Sequence, residues 1–438
     1  MSTDMHKIRE GIVAIAAKQI CSGIFVSGRD ASEVFINSVM VERMLEQPHF
    51  EVDYERQLVR VTLGQHMAQA RYFGDQGCSI LPADSDEVNF TPQQIVSTLP
   101  DPQTQPWPMG DLLPDGPLLA HVDRDKLAAA FDIAFANPDD RTAAYLVVHR
   151  GQIIGEQYGA GAGPNMQLES WSMGKSITAA LIGVLAHEGH FSLDTPAPIP
   201  AWHHPTDPRS AITIAHLLRM SSGLQFSGSD ELTHPFLSDH NYPYTHAGDM
   251  FAYTIEKPLE HPPNTVGRYR NCDPLALGYI IRQTVEGRGE DYLSFPQRAL
   301  FDRIGIRRQM LEADLYGNFI LTGFDFGTAR NWARFGLLHL QDGVWLGERI
   351  LPEGWVDFVS SPAPAWENGE YGGQFWVNSL GEMGLPTDAF SAVGVDGQKC
   401  HIVPSRDLVI VRLGHRAGGP TYEQNHARAN ALVIEAIR

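Results

Sequence analysis

The chain has 438 residues, enough to bury a large core and to form two or three structural units. Its composition is that of an ordinary globular protein, 43% hydrophobic and 19% charged, and its formal net charge of −19 argues against nucleic acid or an anionic membrane surface as a partner. No run of eighteen apolar residues occurs, so no segment is expected to cross a bilayer as a helix.

In chain order, Lys7 and Arg9 precede the apolar run Gly11–Ala17, a pattern resembling the first two regions of a signal peptide. That run is only seven residues long before Lys18 interrupts it, so a short helix is expected, with the remnant of a removed export segment as the other reading. A complete chain would then be cytoplasmic; one that had lost an export segment would be periplasmic or membrane-anchored. Cys21, Cys78, Cys272 and Cys400 lie far apart without CxxC spacing, which makes a metal site unexpected and leaves a Cys21–Cys78 bridge open. Phe50–Tyr54 and Leu58–Leu63 alternate around Glu55-Arg-Gln and read as a hairpin. From Leu81 to Pro117 the chain is rich in Pro, Asp and Gln. The expected organisation is therefore an extension over 1–83, a linker over 84–117 and a main domain over 118–438.

Within that domain Val122–Ala136 reads as a helix, and Ala144–His149 and Gln152–Tyr158 as strands turning at Arg150-Gly151. Thr213–Met220 is a short amphipathic helix. Residues 225–266 read as loop, and their aromatic content suggests a lid. Helices are expected over Leu275–Val285, Tyr292–Leu300 and Ala329–Leu340, strands over Gly373–Val377, Ala389–Val395, Gln398–Val403 and Leu408–Leu413, and a closing helix over Glu423–Ile437. Strands at both ends with helices between imply an α/β (α+β) architecture. In it one antiparallel sheet is assembled from the two ends, flanked by helices, with a helical subdomain over about 190–345 and a cleft beside the sheet.

The chemistry is concentrated in Glu169-Ser-Trp-Ser-Met-Gly-Lys-Ser176, which runs into an apolar helix from Ile177 to His187. Residues three apart share a helix face, so the Lys175 amine can reach the Ser172 hydroxyl. A serine becomes a nucleophile when a neighbour removes its proton, and a lysine can do so if burial and the positive end of the helix dipole lower its pKa.

Four elements in this order resemble the serine β-lactamase-like hydrolases, the branch holding class C β-lactamases, D-alanyl carboxypeptidases, esterases and 6-aminohexanoate-dimer hydrolases. They are Ser172-Met-Gly-Lys175, the segment Thr213–Leu224, Tyr269-Arg-Asn271, and Val395-Asp-Gly397 at the place of the family's Lys-Thr-Gly. The likeness covers roughly residues 120–438 and implies a penicillin-binding-protein-like transpeptidase fold. It implies Ser172 as nucleophile, Lys175 as general base, Tyr269 as the second proton handler and Asn271 as an orienting residue. The backbone N–H groups of Ser172 and Gln398 would form the oxyanion hole, where one lost donor typically costs about 2.7–4 kcal/mol of barrier. Tyr316-Gly-Asn318 repeats the Tyr-x-Asn pattern but has no apolar helix after it, which favours Tyr269.

Val395 cannot hold a carboxylate by charge, which disfavours β-lactam or D-alanyl peptide recognition. The chain looks closer to the 6-aminohexanoate-oligomer hydrolases and esterases. Asp396 is either an acidic rim favouring amino-bearing substrates or a turn residue. Gly397 permits close backbone approach, and Trp171, Tyr242, Tyr244 and Trp376 are expected to shape an apolar acyl pocket together with Val395 and Asp396. His187-Glu-Gly-His190 misses the HExxH zinc spacing. The expected activity is cleavage of a small carboxylic ester or linear amide through an acyl-enzyme, with no cofactor. The alternatives are a penicillin-recognising enzyme or an inactive binding module on the same fold. A homodimer is an allowed assembly.

Overall fold

The computed structural model describes residues 2–39, 47–114, 119–229, 231–415 and 421–437. Its first element is one helix, Ser2–Phe25, considerably longer than the short one expected. The helix continues through Lys18 because that side chain is matched inside the fold. Two compact units are formed, one from Met1–Ile95, Leu193–Leu293 and Met310–Phe324, the other from Val96–Ser192, Ser294–Gln309 and Asp325–Arg438. Neither is contiguous in sequence, which boundaries drawn along the chain at 83 or 118 cannot express.

In the first unit, Val13, Ala16, Ala17, Ile20 and Ile24 recur at three- and four-residue spacing and are all buried. They pack on an antiparallel sheet of β1 (His49–Asp53), β2 (Leu58–Leu63), β3 (His66–Tyr72) and β4 (Cys78–Leu81). The expected hairpin is β1 and β2, with Phe50 opposite Val61. The sheet continues into β3, whose sequence mixes polar and apolar residues too evenly to show a clean period, and β4, which at four residues is too short to show one. Gly11 lets the same helix approach the Phe236 side chain, since a Cβ there would stand 2.7 Å from Phe236 Cβ. The N-terminal segment is thus an integral part of this unit's core.

Lys18 is 1% exposed and Glu312 0%, and they form a buried ion pair at 2.7 Å. Lys18 also donates to the Cys78 carbonyl, while Ser22 Oγ and the Cys78 N–H each donate to Glu312 at 2.8 Å, so the carboxylate is fully engaged. Removing one member of such a pair strands the other charge. Glu312→Ala is therefore expected to lower unfolding free energy by about 3–5 kcal/mol, measured by urea denaturation; an unchanged midpoint would contradict it. Cys21 and Cys78 are free, buried thiols beside this pair, and burial, followed by contact with Cys21, pushes the Cys78 thiol up.

The second unit is built on a six-stranded antiparallel sheet. Its strands are β5 (Thr142–His149), β6 (Gln152–Tyr158), β7 (Trp376–Val377), β8 (Phe390–Gly394), β9 (Gln398–Val403) and β10 (Leu408–Gly414). The spatial order is β7-β8-β9-β10-β5-β6, so strands from the start and the end of the main domain meet where β10 pairs with β5, as the strand pattern implied. Every residue of β10, and all of β5 but Thr142, is buried, because helices cover both faces. Arg124–Ala134 and Tyr422–Ala436 pack over Tyr145, Val147, Leu408 and Ile410. Ala329–Leu340 packs on the opposite face, where Gly336 admits Val409, whose Cγ1 would lie 2.6 Å from an added Cβ.

Candidate active site

The strand Leu168–Glu169 pairs with Asp325–Gly327, and the Ser170 N–H closes the end of that ladder on the Asp325 carbonyl at 2.8 Å. The chain then turns sharply. Trp171 takes a φ of +51°, in the left-handed region that costs a non-glycine residue of order 1 kcal/mol or more. Ser172 follows within the 3-10 turn Trp171–Met173, and the α-helix starts only at Gly174, so the serine precedes the helix rather than lying on its first turn. Ser170, itself fully buried, accepts a hydrogen bond from Trp332 Nε1 at 2.8 Å, which anchors the turn from behind.

The helix Gly174–His187 is buried from Gly174 through Leu185. Lys175 is 1% exposed, and its Nζ donates to Ser172 Oγ at 2.9 Å. Burial holds its pKa well below the ordinary 10.5, opposed by the negative charge of Asp325. Asp325 is itself fully buried, and burial pushes its carboxyl up to about 7, with Lys175 among the groups pulling it back. Sequence reasoning did not single out Asp325. The available signal was a lone acid in the otherwise uncharged run Phe319–Gly327.

Beside this turn lies the loop between β8 and β9. Gly394 pairs with Gln398, leaving Val395, Asp396 and Gly397 as the connection. A Cβ on Gly394 would stand 2.2 Å from the Ser170 carbonyl oxygen and 3.0 Å from Trp171 Cβ, so glycine lets the sheet edge reach the serine-bearing turn. Asp396 and Gly397 have φ of 62° and 80°, and a Cβ on Gly397 would meet Arg412 Nη1 and the Tyr422 ring at 2.5 Å. Arg412 holds the loop from below, donating to the Gly397 carbonyl at 2.9 Å and the Asp396 carbonyl at 3.2 Å. The Gln398 side chain is committed to the backbone of Gly414, donating at 2.6 Å and accepting at 2.9 Å. Val395 is 57% exposed. Trp376 meets Tyr371 edge-on, with ring centroids 5.2 Å apart, and lies near Trp366.

Four expected site residues belong to the first unit. Asn271 leads directly into the helix Cys272–Gly287 and is fully buried. Its Nδ2 donates to the His240 carbonyl at 2.6 Å and to the Tyr244 hydroxyl at 3.1 Å, while its Oδ1 has no hydrogen-bond partner among the described residues. Tyr244, expected to line an acyl pocket, is instead a buried support, donating to the Thr322 carbonyl at 2.8 Å. Tyr242 is also engaged, stacked 3.7 Å from Tyr253 with the rings nearly parallel. The lid segment contains the short helices Tyr242–Thr245 and Met250–Ile255 rather than plain loop, and Phe251 lies in the core with Leu275. Tyr269 is half-buried, its ring centroid 6.0 Å from that of His240. The decoy Tyr316 is an exposed turn residue. Asp273, two residues past Asn271, accepts from the Ser222 N–H and hydroxyl, which ties the Ser221-Ser222-Gly223 segment to the start of this helix.

Comparison with known proteins identifies the family and the fold. The sequence profile of the Beta-lactamase family matches residues 131–435. A 6-aminohexanoate-dimer hydrolase from Paenarthrobacter ureafaciens is 24% identical over 319 residues, covering 68% of this chain and 78% of that protein. A solved Bacillus anthracis structure, provisionally assigned as a 6-aminohexanoate-dimer hydrolase, aligns with a TM-score of 0.57 at 24% identity, over 68% of this chain and 80% of that one. A family VIII carboxylesterase aligns with a TM-score of 0.51 at 16% identity, over 74% of this chain and 98% of that one. At these identities the solved structures establish a shared fold.

Proposed function

Because this chain belongs to the beta-lactamase family, we propose that it is a serine hydrolase cleaving a carboxylic ester or a linear aliphatic amide through an acyl-enzyme. The observation that carries the reading is a buried amine, held below its ordinary pKa, at 2.9 Å from a serine hydroxyl on a constrained turn. In acylation, neutral Lys175 takes the Ser172 proton as Oγ attacks the carbonyl carbon. The negative oxygen that develops is received by the N–H groups of Ser172 and Gln398. Collapse expels the alcohol or amine, which leaves with a proton. On the strength of the Tyr269-Arg-Asn271 motif, Tyr269 is assigned that proton transfer and Asn271 an orienting role. Water then attacks the ester on Ser172, Lys175 again taking the proton, and releases the acid.

An uncharged Val395 supports a substrate without a carboxylate to be held at that place. The name of the Paenarthrobacter ureafaciens relative supports an aliphatic amide as one member of the substrate class. Mass spectrometry of the protein incubated with a panel of p-nitrophenyl esters of graded acyl length and with linear aliphatic amides tests the proposal. An adduct of acyl mass on the peptide containing Ser172, formed and then lost at the turnover rate, is the expected result. Turnover with no adduct, or an adduct elsewhere, would overturn it, and preferential labelling by a fluorescent penicillin would move the substrate class to β-lactams.

A further inference from the structure

We propose that His6, Glu10 and His66 form a zinc-binding site that clips the start of the N-terminal helix to the β2–β3 hairpin. His6 and Glu10 are four residues apart on one face of the helix, and His66 opens β3 directly after the Gly64-Gln65 turn, opposite Leu63. The two elements pack against each other, and one donor atom from each residue lies within 4.8 Å of the other two.

The geometry fits a tetrahedral ion. With Zn–N and Zn–O bonds of about 2.0–2.2 Å, two ligands of one zinc stand roughly 3.3 Å apart. His6 Nε2 and Glu10 Oε1 are already 3.2 Å apart. The ring centroids of His6 and His66 are 4.7 Å apart and tilted by 55°, so their lone pairs can converge without stacking. His66 is only 6% exposed, so the hairpin holds its ring in a defined place beside that of His6. An ion pair between His6 and Glu10 engages only two of the three donor groups. A divalent ion instead accepts an electron pair from both rings and from the carboxylate. The side chains of His6 and Glu10 are 52% and 57% exposed, which leaves room for water as fourth ligand and for small rotations that close the triangle. Two imidazoles with a carboxylate suit zinc better than calcium or magnesium, which prefer all-oxygen shells. The acidic chain also favours cation binding in general.

The test uses the full chain stripped by a chelator, dialysed and titrated with Zn²⁺ near neutral pH, alongside His6→Ala, Glu10→Gln and His66→Gln. The wild type is expected to bind one more equivalent than His6→Ala, and Glu10→Gln to bind at least about tenfold more weakly. Zinc should raise the melting temperature of the wild type and not that of His6→Ala. Because His66 is buried, the exposed His6→Ala variant keeps the test valid should His66→Gln fail to fold. Substituted Co²⁺ should give the visible absorption of a tetrahedral site in the wild type alone. Equal stoichiometry and equal thermal shift in wild type and His6→Ala would overturn the proposal.

Discussion

Ser172→Ala is expected to reduce turnover of an activated ester by on the order of 10⁴- to 10⁶-fold, with circular dichroism and melting temperature unchanged. The size of the effect follows from the role assigned to one oxygen atom. Without Oγ no acyl-enzyme forms, and what remains is oxyanion stabilisation and binding acting on adventitious water. The fold should tolerate the change because the turn is held by other groups. Ser170 is anchored to Trp332 and Asp325, and Ser176 Oγ donates to the Gln374 carbonyl at 2.7 Å. Retained turnover in the variant would remove the serine from the mechanism, and joint loss of turnover and of the melting transition would make its role structural.

Lys175→Met should cost about 10²- to 10⁴-fold, the range of a positioned general base, in a residue of similar length and greater ease of burial. The pH profile tests the base more sharply. A lysine of ordinary pKa 10.5 would be neutral in only about one molecule in a thousand near pH 7.5. Burial lowers that pKa, so the active neutral amine persists to lower pH, and activity is lost as pH falls through the depressed value. Asp325 acts in the opposite sense by stabilising the ammonium. Asp325→Asn should therefore move the acid limb of kcat/KM to still lower pH. A limb that stays in place in Asp325→Asn, or one at the ordinary lysine value in the wild type, would separate Lys175 from the titration that controls activity.

The site residues that were legible in the sequence are those whose geometry is local. Ser172 and Lys175 are three residues apart, and the Gly394–Gln398 connection joins two strands adjacent in sequence. The antiparallel sheet was readable because β5 and β10, covered on both faces, are nearly continuous apolar segments. What escaped depends on partners remote in sequence. Lys18 reads as the break in an apolar run, yet its counter-charge is Glu312. Asp325 is marked only by its surroundings, and its influence on Lys175 becomes evident once its strand is seen paired beside Ser170. Tyr242 and Tyr244 share the composition of a lid, but stacking on Tyr253 and a hydrogen bond under Asn271 engage them, and no periodicity records such contacts. The mixed residues of β3 and the shortness of β4 hid half of the N-terminal sheet.

The Lys18–Glu312 pair joins residues separated by 294 positions. At roughly 5–20 residues per second, a ribosome takes about 15–60 s to deliver the second partner after the first, time in which the N-terminal helix and sheet exist without their central anion. During translation that segment must keep an ammonium and two thiols from burial before their partner is made. A truncated transcript ending before Glu312 should yield a nascent chain that is degraded rather than stored.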